Sequence, residues 1–275
     1  MHSNDDGPEL YVVCFLDLLG FKGLVQKFKS NLGMVRAIEG VFGSAFRRLD
    51  QFRVREPVNK YALANKIVAQ HTKYRMISDS TIFTLPVSGL PRLDQEFDDL
   101  ENRLLCVESF LIGISLFWLW VGGKMGYFHR GGVTIGRHYE NVLNEPGNVF
   151  IFSEALVDAA SLQASGDPPR IVLGEGVYRY FSSLRNEDKL SDSLDGLVFT
   201  DQDNKRCLDT YSVLQEDERT KQILADLAKG IRLQREQNAV DDDVIKKYRW
   251  LGMYHNRHVQ RLIKGTPSSF MVPED

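Results

Sequence analysis

Asp17 and Asp79 are the residues of this chain best suited to chemistry, because each stands where an apolar run gives out. Asp17 follows Leu10–Leu16 (LYVVCFL) and opens Asp-Leu-Leu-Gly-Phe, while Asp79 is the centre of Ser78-Asp79-Ser80, between Tyr74–Ile77 and Thr81–Leu85. An apolar run as long as Leu10–Leu16 reads as a strand buried on both faces. A carboxylate where such a strand leaves the core is costly to desolvate without a partner. Hard divalent cations prefer carboxylate oxygens, and two ions about 3.5–4 Å apart clamp a phosphoryl group for in-line displacement. Two strand-end aspartates on adjacent strands would supply such a site. The same residues also have a purely structural use, Asp17 capping the next helix and Asp79 making a turn.

The elements that must position them can be read from periodicity. After the first strand, Phe28, Leu32, Val35, Phe42, Phe46 and Leu49 recur at helical spacing, weakened by Gly33, Gly40 and Gly43. Gln51–Thr72 is mixed and polar, and predicts a loop with a short helix. Tyr74–Leu85 predicts a hairpin turning at Ser-Asp-Ser. Pro86–Pro91 breaks it, and Asp94–Val121 predicts a long helix with an acidic start. Arg130–Ile135 and Val149–Phe152 predict strands, and Ser153 is a good N-cap for a helix running to Gln163, with Gly166-Asp167-Pro168-Pro169 as its stop. Arg170–Leu173 and Leu208–Leu214 predict further strands. The order argues for an α+β sandwich with helices on one face of the sheet. From Glu216 the composition changes to long polar helices, which suggests a body of residues 1–215 and a helical extension of 216–275. In the extension Val244, Tyr248, Leu251, His255, Val259 and Leu262 form one stripe, opposed by Lys246, Lys247, Arg249, Arg257 and Arg261. That pattern fits a helix docked on the body or on a partner, with a basic phosphate- or membrane-reading face as the alternative.

The bulk numbers limit the function classes. A chain of 275 residues with 43% hydrophobic and 26% charged residues is an ordinary globular protein. A net charge of −3 gives no electrostatic case for nucleic acid. Three scattered cysteines, Cys14, Cys106 and Cys207, fit a reducing cytoplasm. The polar start Met1–Glu9 does not read as a secretory signal. Phe110–Val121 (FLIGISLFWLWV) is strongly apolar, but too short to span a bilayer, and predicts a buried helix. Trp118 and Trp120 within it would alternatively line a subunit interface.

Three segments carry a resemblance. Phe15-Leu16-Asp17-Leu18-Leu19-Gly20-Phe21 resembles the Asp-Ile-x-Gly-Phe segment that ends the first strand of class III nucleotidyl cyclases. Ser78-Asp79-Ser80 resembles that family's hairpin Gly-Asp, and Arg130-Gly131-Gly132-Val133-Thr134-Ile135-Gly136 its Arg-Ile-Gly-Ile-His-Thr-Gly strand. The resemblance spans Leu10 to Leu214 and implies a ferredoxin-like, palm-type α+β catalytic domain that dimerises with its sites at the interface. Within that superfamily, Asp-Leu-Leu-Gly-Phe, Ser-Asp-Ser, Arg-Gly-Gly-Val, Glu154-Ala155 with Ala159 and Leu162-Gln163, and Lys247-Tyr248-Arg249-Trp250-Leu251 look like the pyrimidine cyclases of bacterial anti-phage (Pycsar) systems. Those make cyclic UMP or cyclic CMP, which activates a separate effector.

The resemblance also implies roles. Asp17 and Asp79, with the backbone oxygen of Leu18, would hold two Mg²⁺ or Mn²⁺ ions. The amides of Leu19, Gly20 and Phe21 would meet phosphate oxygens at a helix start. Purine cyclases carry an Asn and an Arg on the helix after the Val149–Phe152 strand; here those places fall on Val157 and Ser161, which can do neither job. Arg130 and Arg137 are candidate replacements, though a salt bridge or a solvated surface charge is the more ordinary use of each. Without a replacement the domain would sense nucleotide without turnover. The base-reading place falls on Arg75, beside Tyr74, and Arg75 with Phe150 matches neither purine pair. An arginine only donates, which suits the uracil O4 of UTP better than the cytosine amino group of CTP. A bulky Tyr74 would shorten the pocket against purines; both residues are otherwise ordinary strand positions.

Overall fold

Residues 9–28, 32–51, 60–91, 99–143, 148–164, 168–182, 194, 196–265 and 267–273 are described by the computed structural model. The first strand is longer than its apolar run: β1 spans Glu9–Leu18, so Asp17 sits inside the ladder. The hairpin is β2 (Lys73–Ile77) and β3 (Ser80–Pro86), with Ser78 at φ +59° in its two-residue turn. A positive φ at that place matches the turn to the twist of its strands. β4 (His129–Val142) is 14 residues long, and β5 (Val149–Ser153) folds back on its far half.

The sheet runs β2-β3-β1-β4-β6-β8-β7, with β6 (Ile171–Leu173), β7 (Val198–Thr200) and β8 (Arg206–Leu208) short. Its first four strands are mutually antiparallel and ordered β2-β3-β1-β4, the split βαββαβ arrangement of a ferredoxin-like sandwich. The expected strand at Leu208–Leu214 ends at Leu208. Turns through Ser212 N–H to Asp209 O and Leu214 N–H to Tyr211 O take over.

Alternation on β1 sets two faces. Val12, Cys14 and Leu16 face the main core, beneath α2 (Leu32–Gln51), α3 (Lys60–His71) and α4 (Asp99–Met125). Tyr11, Val13 and Phe15 face the other way, against Ala155 and Ala159 of α5 (Glu154–Ala164). Helices therefore cover both faces, not one, because the chain must cross the sheet to bring α5 down on β4. Gly132 permits the contact: a Cβ there would lie 2.2 Å from the carbonyl oxygen of Ala159. Ser153 caps α5 as expected, its Oγ accepting from Leu156 N–H at 2.9 Å.

In the predicted stripe Phe42 and Phe46 are buried and Val35 is exposed; the side chains of Phe28, Leu32 and Leu49, and residues 1–8, 94–98 and 166–167, lie outside the described residues. The 27-residue α4 is long and apolar enough to cross a membrane, so shortness is no argument against it. Burial is: 78% of its most apolar stretch is inside the fold. Trp118 is buried and donates to His129 O at 2.8 Å, and half-buried Trp120 donates to Ser44 Oγ, so neither waits for a partner. After α6 (Glu175–Ser182), which periodicity did not reveal, come α7 (Glu218–Gln237) and α8 (Asp242–Leu262). Leu224 and Leu227 of α7 and Tyr248, Leu251 and Val259 of α8 share one core with β1 and α4, so packing continues across position 215.

Candidate active site

The register of three strands gathers the site. Asp17 stands opposite Ser80 of β3 and Arg130 of β4, so all three side chains project from the α5 face in one row. The turn residue Asp79 is pinned to the same place, because its carbonyl accepts the Leu18 N–H at 3.0 Å. Asp17 Oδ2 accepts from Arg130 Nε at 3.2 Å and from Gln163 Nε2 at 3.2 Å. Gln163 is buried at the end of α5, and nothing in its spacing marks it as a site residue. Burial raises the Asp17 carboxyl above its usual range, and the neighbouring Asp79 raises it further, while the Arg130 guanidinium opposes both. Two carboxylates that feel each other, with a cation already drawn to one, form an oxygen-donor set suited to a hard divalent ion. Asp17 and Asp79 are the acidic pair; among the described residues no cluster of three or more His, Cys, Asp or Glu is present.

Leu19 is a correction. Its side chain is buried and its N–H donates to Phe128 O at 2.8 Å, so it is not offered to a phosphate. Gly20, at φ +81°, makes the sharp exit from β1, and Phe21 begins α1 (Phe21–Phe28). Leu18 pairs with His129, its side chain inward.

Arg75 and Tyr74 separate for the same reason that adjacent strand residues always do. Arg75 lies on the α5 face with Ile82 and Phe15, one row along from Asp17. Two strand spacings across and two residues along put the two Cα atoms roughly 12 Å apart. Its guanidinium is ion-paired with Glu140 of β4, which Lys73 also approaches at 3.5 Å. Burial raises the Glu140 carboxyl, but the Arg75 hydrogen bond and Lys73 outweigh it and hold the group below its usual range. Tyr74 points to the opposite face and stacks on Phe46 at 3.9 Å, so it cannot narrow a pocket that Arg75 lines.

Arg137 is also not part of this cluster. It is exposed and opposite Leu10, seven register positions from Arg130, roughly 23 Å along the strand. Val157 is 66% exposed, and Ser161 Oγ is spent on Val157 O at 2.8 Å. The three cysteines are free and buried; burial pushes Cys106 and Cys207 up to about 12 and raises Cys14 well above its usual range, which rules them out as thiolate nucleophiles.

The sequence matches no family model and no curated protein. Among solved structures, the chain is similar to the adenylyl cyclase CyaB from P. aeruginosa at 11% identity and a TM-score of 0.42, over 65% of this chain and 83% of that one. It is similar to a bacterial light-regulated adenylyl cyclase at 10% identity and a TM-score of 0.42, over 82% and 57%. The dimeric guanylyl cyclase domain of the RhoGC fusion protein from the fungus Blastocladiella emersonii gives 13% identity and a TM-score of 0.40, over 64% and 84%. At that distance, the function rests on the site itself.

Proposed function

We propose that this chain is a divalent-metal-dependent nucleotidyl cyclase that converts a pyrimidine nucleoside triphosphate, UTP, to cyclic UMP and pyrophosphate. The observation that carries it is the placing of Asp17 and Asp79 side by side, from two strand ends, with Arg130 on Asp17. Cyclisation joins the ribose 3′-oxygen to the α-phosphorus and breaks that phosphorus's bond to the bridging oxygen of pyrophosphate. It asks the protein for positioning and charge stabilisation, with no covalent nucleophile. Mg²⁺ or Mn²⁺, when bound by Asp17, Asp79 and the Leu18 carbonyl, makes the 3′-hydroxyl more acidic and neutralises the triphosphate.

Gln163 fixes the Asp17 carboxylate so that its donor geometry is set before substrate arrives. Arg130, beside Asp17 on the neighbouring strand, would offer its guanidinium to the phosphates in place of the missing helix arginine. The Gly20 and Phe21 amides, at the start of α1, would meet phosphate oxygens. Arg75, on the same face and about one nucleotide's length from Asp17, reads the base, with Glu140 setting its orientation. The exposed aromatic face of the β4–β5 arm, Tyr139, Phe150 and Phe152, supports a homodimer in which a second copy covers it. In the reading that the Pycsar resemblance suggests, the product is a cytoplasmic anti-phage signal acting on a separate effector.

Incubating the purified protein with each of the four ribonucleoside triphosphates and Mn²⁺, and identifying products, tests this directly. Cyclic UMP from UTP is expected, and a purine product would overturn the base assignment. One observation favours a second reading, a nucleotide-binding protein without turnover: Val157 and Ser161 offer nothing to the phosphate. Nucleotide binding without any cyclic product would select it.

A further inference from the structure

On the sheet face opposite Asp17, between α2, α3, α4 and β2, lies a cavity of about 130 Å³. Its walls are mostly aromatic and aliphatic, among them Phe46, Phe83, Phe110, Val68, Ile114 and Tyr74. Tyr74 is 48% exposed and stacked on Phe46.

Two hydroxyls, Thr72 and Ser109, and the Asn65 side chain are set into this mostly apolar lining. Ser109 is 3% exposed, and neither its Oγ nor Thr72 Oγ1 has a hydrogen-bond partner among the described residues. A serine inside a helix ordinarily satisfies itself on the carbonyl four residues back. Ser115 of the same helix does so, on Leu111 O at 3.0 Å. Ser109 forgoes that bond, and leaving a buried hydroxyl unpaired is costly unless something in the cavity pairs with it.

We propose that this cavity is a binding site for a single-ring aromatic molecule carrying one hydrogen-bonding substituent, the phenol class. Size fixes the ring count, since an apolar cavity of about 150 Å³ takes up benzene. The Phe46, Phe83 and Phe110 rings receive the apolar body by edge and face contacts. Ser109 and Thr72 supply a donor and an acceptor for its polar group. The site is independent of the cyclase reading, because it lies on the other side of the sheet from Asp17 and uses none of its residues.

The test uses the full chain, phenol and toluene as probes, and the methyl NMR signals of Val68 and Ile114 as the readout. Phenol is expected to shift those signals saturably and to bind more tightly than toluene. Ser109→Ala should weaken phenol roughly three- to tenfold, the worth of one hydrogen bond, and leave toluene unchanged. Ala69→Leu, which fills the cavity from α3, should abolish both while the chain stays folded. Equal affinity for phenol and toluene in the unaltered protein would overturn the polar assignment. Shifts that never saturate, or that survive Ala69→Leu, would overturn the site.

Discussion

Gly132→Ala should both destabilise the fold and disable the site, through one displacement. The added Cβ would sit 2.2 Å from the Ala159 carbonyl oxygen and 2.7 Å from Leu162 Cβ, both on α5. Atoms in contact pack about 3.5–4.0 Å apart, so α5 has to retreat by roughly 1 Å or more. Overpacking of this kind costs about 1–3 kcal/mol. At roughly 2–4 °C per kcal/mol for a domain of this order of size, a central value of about 2 kcal/mol lowers Tm by about 4–8 °C. The retreat carries Gln163 with it, and its 3.2 Å bond to Asp17 is lost. A misplacement of about 1 Å at a positioned group costs on the order of a hundredfold in rate. Thermal unfolding by circular dichroism and cyclic nucleotide formation in Mn²⁺ measure the two effects. Gly40→Ala is the control: it lies in α2 with nothing within 4 Å of its Cβ, and should gain about 0.5–1 kcal/mol. A Gly132→Ala protein that melts and turns over like its parent would refute the claim that α5 is clamped through this glycine.

Asp17→Asn should abolish turnover and remove the rise in Tm that Mn²⁺ gives the unaltered chain by binding only the folded form. The raised carboxyl of Asp17 makes stability fall as pH climbs from its unfolded to its folded pKa, so Asp17→Asn should gain on its parent as pH rises above the ordinary carboxylate range in urea titrations. Arg75→Ala should cut the UTP specificity constant roughly ten- to a hundredfold relative to CTP, whereas Glu140→Gln keeps an acceptor for Arg75 and should preserve the preference for UTP. Equal losses on all four nucleotides in competition assays would make that ion pair structural. His129 is fully buried with neither ring nitrogen partnered among the described residues, and burial lowers it to about 3. Its neutral form is the folded one, so stability is lost as pH falls below about 6.5 toward 3. His129→Leu should flatten that loss and stabilise by about 1–3 kcal/mol in urea melts at pH 5; an unchanged acid limb would contradict it.

Local patterns decided much by themselves. The apolar run into Asp17, the hairpin around Asp79, the Ser153 cap and the stripe from Tyr248 to Val259 are visible because burial imposes periods of 2 and 3.6 on neighbouring residues. Short range also misled. Tyr74 and Arg75 look like one pocket in a string of letters, yet the pleat sends them to opposite faces of the sheet. Arg130 and Arg137 look like equal candidates, and the β1–β4 register leaves only the first beside Asp17. Gln163 and Glu140 reach their partners across 146 and 65 residues of chain, so no spacing rule could mark them. What the sequence determined is which residues sit on strand ends and helix faces, a matter of nearest-neighbour burial. Which side chains share a site was decided by strand order and register, and those are set by the packing of the whole chain.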